Sequence, residues 1–223
     1  MPRIASSGRV AAPAARSNTR DRILEVSLDL FNREGVAAVS THRIATEADI
    51  SPGNLHYHFK TKQQIVTWLF RRFEGRIAPC LEAAAEITAI DDVWLTLHMT
   101  FEAIDAYRFV YRDIAFLLHE YPLLEEAAQG LVAANLIASR ELCARLAATG
   151  ALSASIEDVE MLALQMVFTT TCWFSFTRLT PRSARADPAG PGFAAYYTLT
   201  LLSPYVTGEA RDYLNYLRGK YLG

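Results

Sequence analysis

The segment Gly53-Asn54-Leu55-His56-Tyr57-His58-Phe59-Lys60-Thr61-Lys62 gathers groups able to read and grip a polyanion. An asparagine amide can pair with a base edge. Imidazole and phenol groups can reach phosphate oxygens, and a glycine lets the backbone come close. Lys60 and Lys62 add two cations at a helix start, where free backbone N–H groups already favour an anion. At about 100° per residue Leu55 and Phe59 share one helix face. The opposite face is centred on Gly53 and Tyr57, with Asn54 and His56 at its edges, and it suits a DNA groove. Packing remains an alternative role for Tyr57. His56 and His58 do not suit a metal, because residues two apart point to different faces of a helix.

Presenting that face requires short helices joined by a fixed turn. A first helix is expected from Asn18, with Ile23, Leu24, Leu28 and Phe31 on one stripe and Gly35 as a left-handed cap. Ser40 or Thr41 should cap a second, two-turn helix that buries Ile44, Ala45 and Ala48. Ser51-Pro52 reads as an N-cap followed by proline at the first helical position, opening a third. Two short helices separated by Ala48-Asp49-Ile50-Ser51 make a helix-turn-helix, whose second helix enters the major groove. Thr61-Lys62-Gln63-Gln64 has capping-box spacing and opens a fourth helix through Ile65, Leu69 and Phe73, which Pro79 is expected to kink or end.

Beyond residue 80 the periodicity is helical throughout, over about 91–106, 107–120, 123–149, 155–178, 193–203 and 208–221, with a Pro/Gly-rich loop at 180–192. The fold class read from the sequence is all-α. Its expected parts are a flexible basic arm at 1–17, a helix-turn-helix domain at 18–65 and a second helical domain at 66–223.

The 223 residues can bury a core without staples, and 51% apolar with 21% charged residues excludes a largely disordered or fibrous chain. Net charge is −2, yet it divides into +5 over residues 1–76 and −7 over 77–223, so the N-terminal part is the one suited to a polyanion. Cys80, Cys143 and Cys172 are widely spaced, which suggests neither a disulfide framework nor a cysteine metal site. The first twenty residues carry no apolar run of signal-peptide length, and a cytoplasmic location is expected. Met161–Thr177 is uncharged but holds Gln165, Thr169, Thr170, Thr171 and Ser175, and reads as a buried helix rather than a membrane span. No Ser-His-Asp set, GxxxxGK loop or paired catalytic carboxylate stands out, so neither catalysis, cofactor nor metal is expected.

Residues 19–66, and above all THRIATEADISPGNLHYHFKTKQQI, resemble the DNA-binding domain of the TetR family of transcriptional regulators. The resemblance implies a homodimer, usually a repressor, that binds a palindromic operator and is released when a small molecule enters the helical C-terminal domain. Carried over by position, it places Thr41, His42 and Arg43 at the start of the helix crossing the DNA backbone. Pro52, Gly53, Asn54, His56, Tyr57 and His58 fall on the recognition helix, and Lys62 on a phosphate. His42 could equally cap or solvate its own helix. Three positions depart from the usual pattern. Asp49 replaces the glycine of the turn, His56 replaces a tyrosine, and Ser27 replaces an alanine. Aspartate tolerates positive φ better than most residues, and an imidazole makes its contact pH-sensitive.

In the second part, Trp94, His98, Phe101, Phe116, Phe168 and Trp173 are candidate lining for a bulky apolar effector, with His98 or Glu102 orienting it. The same stripes could be core. The uncharged helix at 155–178 and the one at 193–203 carry more apolar surface than one inward stripe needs, and are expected to pair with a second copy. The fourth helix is the expected lever between effector and DNA. A different class of function, a lipid- or isoprenoid-binding helical protein without DNA binding, competes with this reading. The grouping of Gly53, Tyr57, Lys60 and Lys62 argues against it.

Overall fold

The structure is a computed structural model that describes residues 18–84, 86–179 and 190–222. The expected arm at 1–17 and most of the expected 180–192 loop lie outside the described residues. Those described form helices α1 (Thr19–Glu34), α2 (Thr41–Glu47), α3 (Pro52–His58), α4 (Lys62–Ala84), α5 (Ile90–Ala106) and α6 (Phe109–Arg112). They continue with α7 (Ile114–Glu120), α8 (Glu125–Ala148), α9 (Ile156–Leu179), α10 (Pro191–Leu199) and α11 (Gly208–Leu222). One isolated antiparallel bridge, Leu152 to Val206, ties the α8–α9 turn to the chain ahead of α11.

The starts follow from side-chain caps. Asn18 accepts from the Arg20 N–H at 3.3 Å, Ser40 from Arg43 at 3.1 Å and Ser51 from Asn54 at 3.1 Å. Thr61 accepts from the Gln64 N–H at 3.2 Å, while the Gln64 side chain reaches back to the Lys60 N–H at 2.8 Å. Ser155 and Asp158 cap α9 reciprocally at 2.9 and 3.1 Å.

α1 buries Ile23, Leu24, Leu30 and Phe31, with Leu28 only partly covered. Ser27 is buried too, and its hydroxyl donates to the Ile23 carbonyl at 2.6 Å, which satisfies it inside the helix. A single hydrophobic cluster runs from Ile23, Ile44 and Leu55 through Phe73 to Phe101, Phe109 and Leu199. The helix-turn-helix is therefore continuous with the core of the larger part.

Three expectations change. α4 is not ended by Pro79: the helix passes through it to Ala84 and crosses the expected 65/66 boundary unbroken. Proline removes one backbone donor, and burial of Ile77, Cys80 and Ala84 carries the helix past that loss. The expected helix at 107–120 is divided at Asp113, whose backbone leaves helical geometry (φ −104°, ψ 15°) as its carboxylate turns to accept from the Val36 N–H at 2.9 Å. Gly35 has φ +91° with ψ +148°, an extended mirror conformation rather than the left-handed cap expected. Only glycine adopts it cheaply, and a Cβ there would sit 3.5 Å from an Asp113 carboxylate oxygen.

Among the described residues one helix, α9, is long and apolar enough to cross a membrane by length and composition. It buries Val159, Leu162, Met166, Thr170 and Trp173 on one side. On the other, Met161, Leu164, Phe168, Phe176 and Leu179 are exposed, an apolar face beyond the one inward stripe. α10 behaves differently. Ala194, Ala195, Tyr196 and Leu199 are buried against the rest of the chain, and of its large apolar residues Tyr197 is the exposed one. Its expected surplus of apolar surface is used within the chain, packed on α5.

Candidate nucleic-acid interface

Leu55 and Phe59, each 1% exposed, anchor α3 to the core. With that side fixed, Pro52, Gly53, Asn54, His56 and Tyr57 face outward, and Tyr57 is 78% exposed. Its ring stands edge-on to His58 at 5.3 Å, which leaves the phenol pointing away from the protein. His58 is half-buried and Lys60 exposed. A Cβ at Gly53 would meet only the Ser51 hydroxyl at 3.9 Å, so the bare backbone there is open to an approaching surface.

The turn that aims α3 is a Schellman arrangement. The Ile50 N–H donates to Ala45 at 3.0 Å and the Asp49 N–H to Thr46 at 3.1 Å. Asp49 takes φ +50°, the one positive φ outside glycine among the described residues. The aspartate thus carries the left-handed position that a glycine would fill without strain.

On α2, His42 is exposed, while Thr41 and Arg43 are half-buried. The Arg43 guanidinium is shared between Glu47 at 2.6 Å and Glu34 at 3.5 Å, so a phosphate must compete for it. Lys62 differs from the phosphate grip expected of it. Its ammonium donates to the carbonyls of Val36 and Val39 at 2.9 and 3.0 Å, closing the α1–α2 connection onto α4. Burial lowers its pKa, offset in part by Glu120. Two of its three N–H donors are committed inside the protein.

The expected effector residues do not form one site. Trp94 and His98 stack at 5.1 Å, Phe101 meets Trp173 edge-on at 6.3 Å, and Trp173 lies 5.4 Å from Tyr197. Together they form an aromatic core joining α5, α9 and α10. Glu102 is exposed beside His98 at 3.3 Å. Phe116 packs on Tyr121 elsewhere, and Phe168 is 67% exposed on the outer face of α9. None of the seven lines the apolar cavity of about 320 Å³ walled by Phe70 of α4, Val110 and Tyr111 of α6, Leu118 of α7, Leu131 of α8 and Thr171 of α9. Helical spacing locates a stripe but not the void between stripes.

A joint that sequence reasoning missed links this cavity to the helix-turn-helix. Arg112 donates to the carbonyls of Phe31 and Asn32, both at 2.6 Å, at the end of α1. Asn32 returns two bonds, donating to Ala106 at 2.9 Å and accepting from the Phe109 N–H at 3.1 Å. The rings of Phe31 and Phe109 lie 5.6 Å apart across it. A charged pair inside the apolar run YRFVYRDIAFLL was the available signal, since such a pair is stable inside a fold only with partners.

Comparisons with known proteins agree with this geometry. A family model described as "Bacterial regulatory proteins, tetR family" matches residues 23–67, and one described as "TetR: Bacterial transcriptional repressor" matches 72–214. The chain belongs to the TetR family of bacterial transcriptional regulators. A crystal structure of a TetR-family regulator from Marinobacter aquaeolei VT8 is 32% identical with a TM-score of 0.81, over 92% of this chain and 98% of that one. The transcriptional repressor KstR2 of Mycolicibacterium smegmatis is 28% identical over 121 residues, which is 49% of this chain and 56% of the repressor. The chain spans about half the length of the curated relatives it matches first. AibR, solved in complex with isovaleryl coenzyme A and operator DNA, has the same fold at 14% identity and a TM-score of 0.60, over 84% of this chain and 100% of that one.

Proposed function

We propose that this chain is a sequence-specific, DNA-binding transcriptional regulator, a homodimeric repressor that leaves a palindromic operator when a small apolar effector binds. The observation that carries the reading is the outward face of α3, where Gly53, Asn54, His56 and Tyr57 stand free while Leu55 and Phe59 hold the helix in place. Family membership supports the DNA target and the division of labour at about residue 65. The exposed stripe of Met161, Leu164, Phe168, Phe176 and Leu179 on α9 supports pairing with a second copy. Two-fold pairing sets the recognition helices roughly 34–36 Å apart, or a multiple of it.

Effector release runs through α6 rather than α4 alone. Val110 and Tyr111 wall the cavity, and the next two residues, Arg112 and Asp113, hold the end of α1 and the α1–α2 loop. An effector preferring a displaced α6 biases the reading heads by its difference in affinity for the two arrangements.

Fluorescence anisotropy with duplex DNA over a salt series tests the reading. Log affinity falls linearly with log salt, and Tyr57→Ala weakens binding without altering the melting temperature. A chain that ignores every duplex at low salt contradicts it.

A further inference from the structure

We propose that the cleft where the end of α1, the start of α6 and the end of α9 meet binds a compact oxyanion of at least two negative charges, through Arg33, Arg108 and Arg178. The cleft is separate from the apolar cavity and has a volume of about 310 Å³, room for a phosphorylated or polycarboxylated small molecule. Among the described residues its walls bring together four guanidiniums, those of Arg33, Arg108, Arg112 and Arg178, against the single carboxylate of Glu34. That carboxylate is already shared by Arg33 at 3.2 Å and by Arg43, from outside the cleft, at 3.5 Å. The excess of cations excludes a metal ion or an ammonium and favours an anion.

The four arginines divide by what already holds them. Arg112 is a fixed wall, since its bonds to Phe31, Asn32 and Asp113 commit four of its five N–H groups. Together with the Gly35 N–H, which donates to Phe31 at 3.0 Å, it covers the last carbonyls of α1, so the negative end of that helix is shielded from an anion in the cleft. Arg33 and Arg108 are held loosely. Their partners, Asp29 at 2.9 Å and Asp105 at 3.0 Å, lie one turn back in the chain, and the two arginine side chains are 48% and 40% exposed, so these pairs yield readily. Arg178 is exposed and makes no hydrogen bond or ion pair among the described residues. Three forks that can turn inward, each matched to a pair of oxygens, suit a phosphoryl group or paired carboxylates better than one monoanion. Arg33 belongs to the helix-turn-helix, while Arg108 and Arg178 belong to the larger part. A shared anion therefore ties the two parts together across the seam that Arg112 closes.

Isothermal titration calorimetry on the full chain, with pyrophosphate, citrate and acetate at matched ionic strength, tests this. The account expects the tighter of the two polyanions to bind once per chain and at least ~10-fold more tightly than acetate. Their order tells a phosphoryl source from a carboxylate one. Arg178→Gln and Arg108→Gln, both at exposed positions, each weaken that polyanion ~10-fold, as the loss of one charged donor requires, and keep the wild-type melting temperature without it. Lys60→Met, on the DNA-facing side, leaves polyanion binding unchanged. Acetate bound as tightly as the polyanions, wild-type affinity in both arginine variants, or loss through Lys60→Met instead overturns the proposal. Duplex binding by the same preparations separates this site from the regulator reading. DNA bound without either polyanion removes the site and leaves the regulator, and a polyanion bound without DNA does the reverse.

Discussion

Arg112 and Asp113, neighbours in sequence, form a two-pronged pair in which Nε and one terminal nitrogen each donate to a different carboxylate oxygen at 2.8 Å. Both side chains are nearly buried, and each also holds a piece of the helix-turn-helix: Arg112 the last carbonyls of α1, Asp113 the Val36 N–H. The cation at a helix C-terminus is favoured by the helix dipole as well as by its hydrogen bonds. The cavity lined by Val110 and Tyr111 and the helix-turn-helix are thereby joined through two consecutive residues.

Removing one partner of such a pair strands the other's charge. Arg112→Met is expected to lower stability by about 3–5 kcal/mol in urea unfolding. Arg112→Lys does not restore it, because an ammonium lacks the planar fork that reaches Asp113 and both carbonyls at once. Wild-type stability in either variant would contradict the joint.

Lys60 and Lys62 are expected to separate. Lys62→Met leaves the Val36 and Val39 carbonyls without their donor and lowers stability by about 1–3 kcal/mol. Lys60→Met leaves stability alone and, where Lys60 meets a phosphate, reduces the salt slope of DNA binding by about 0.9. The reverse assignment in paired melting and salt-titration measurements would return Lys62 to the phosphate.

The turn residue Asp49 offers a test by backbone geometry. Asp49→Val, with a branched side chain at φ +50°, is expected to cost about 1–2 kcal/mol. Asp49→Gly changes stability by less than about 1 kcal/mol, because relief of strain is offset by the freer unfolded chain. Equal effects of the two in chemical denaturation would contradict the left-handed assignment.

Asp158 connects α9 to pH. The Ser155 backbone N–H and hydroxyl, and then the Tyr205 phenol, hold its carboxylate below the ordinary 3.8. A depressed carboxylate contributes stability that is fully present above its unfolded value and is lost as pH falls through the folded one. Wild type should therefore lose more stability below about pH 4 than Asp158→Asn. Parallel acid melting curves for the two would count against this contact.

Local signals made much of the molecule legible. Ser40, Ser51-Pro52, Thr61 and Ser155 mark helix starts because a cap is a contact within three residues. The inward placement of Leu55 and Phe59, and hence the exposed face of Gly53 and Tyr57, follows from helical period alone. What escaped depends on distant partners. The commitment of Lys62 to Val36 and Val39 spans more than twenty residues, and the Arg112 clamp spans about eighty. The break at Asp113 is caused by an acceptor role toward Val36 that no window of local sequence contains. Trp94, Phe101 and Trp173 were identified as aromatic stripes, yet whether stripes meet each other or a void is decided by tertiary packing.

The most direct measurement is selection of bound duplexes from a random pool by the full chain, repeated with Tyr57→Ala. The account predicts enrichment of an inverted repeat whose half-sites are centred about 10 base pairs or a multiple apart, lost in the variant. Recovery of no common sequence, or of an unrepeated site bound equally by Tyr57→Ala, would contradict it.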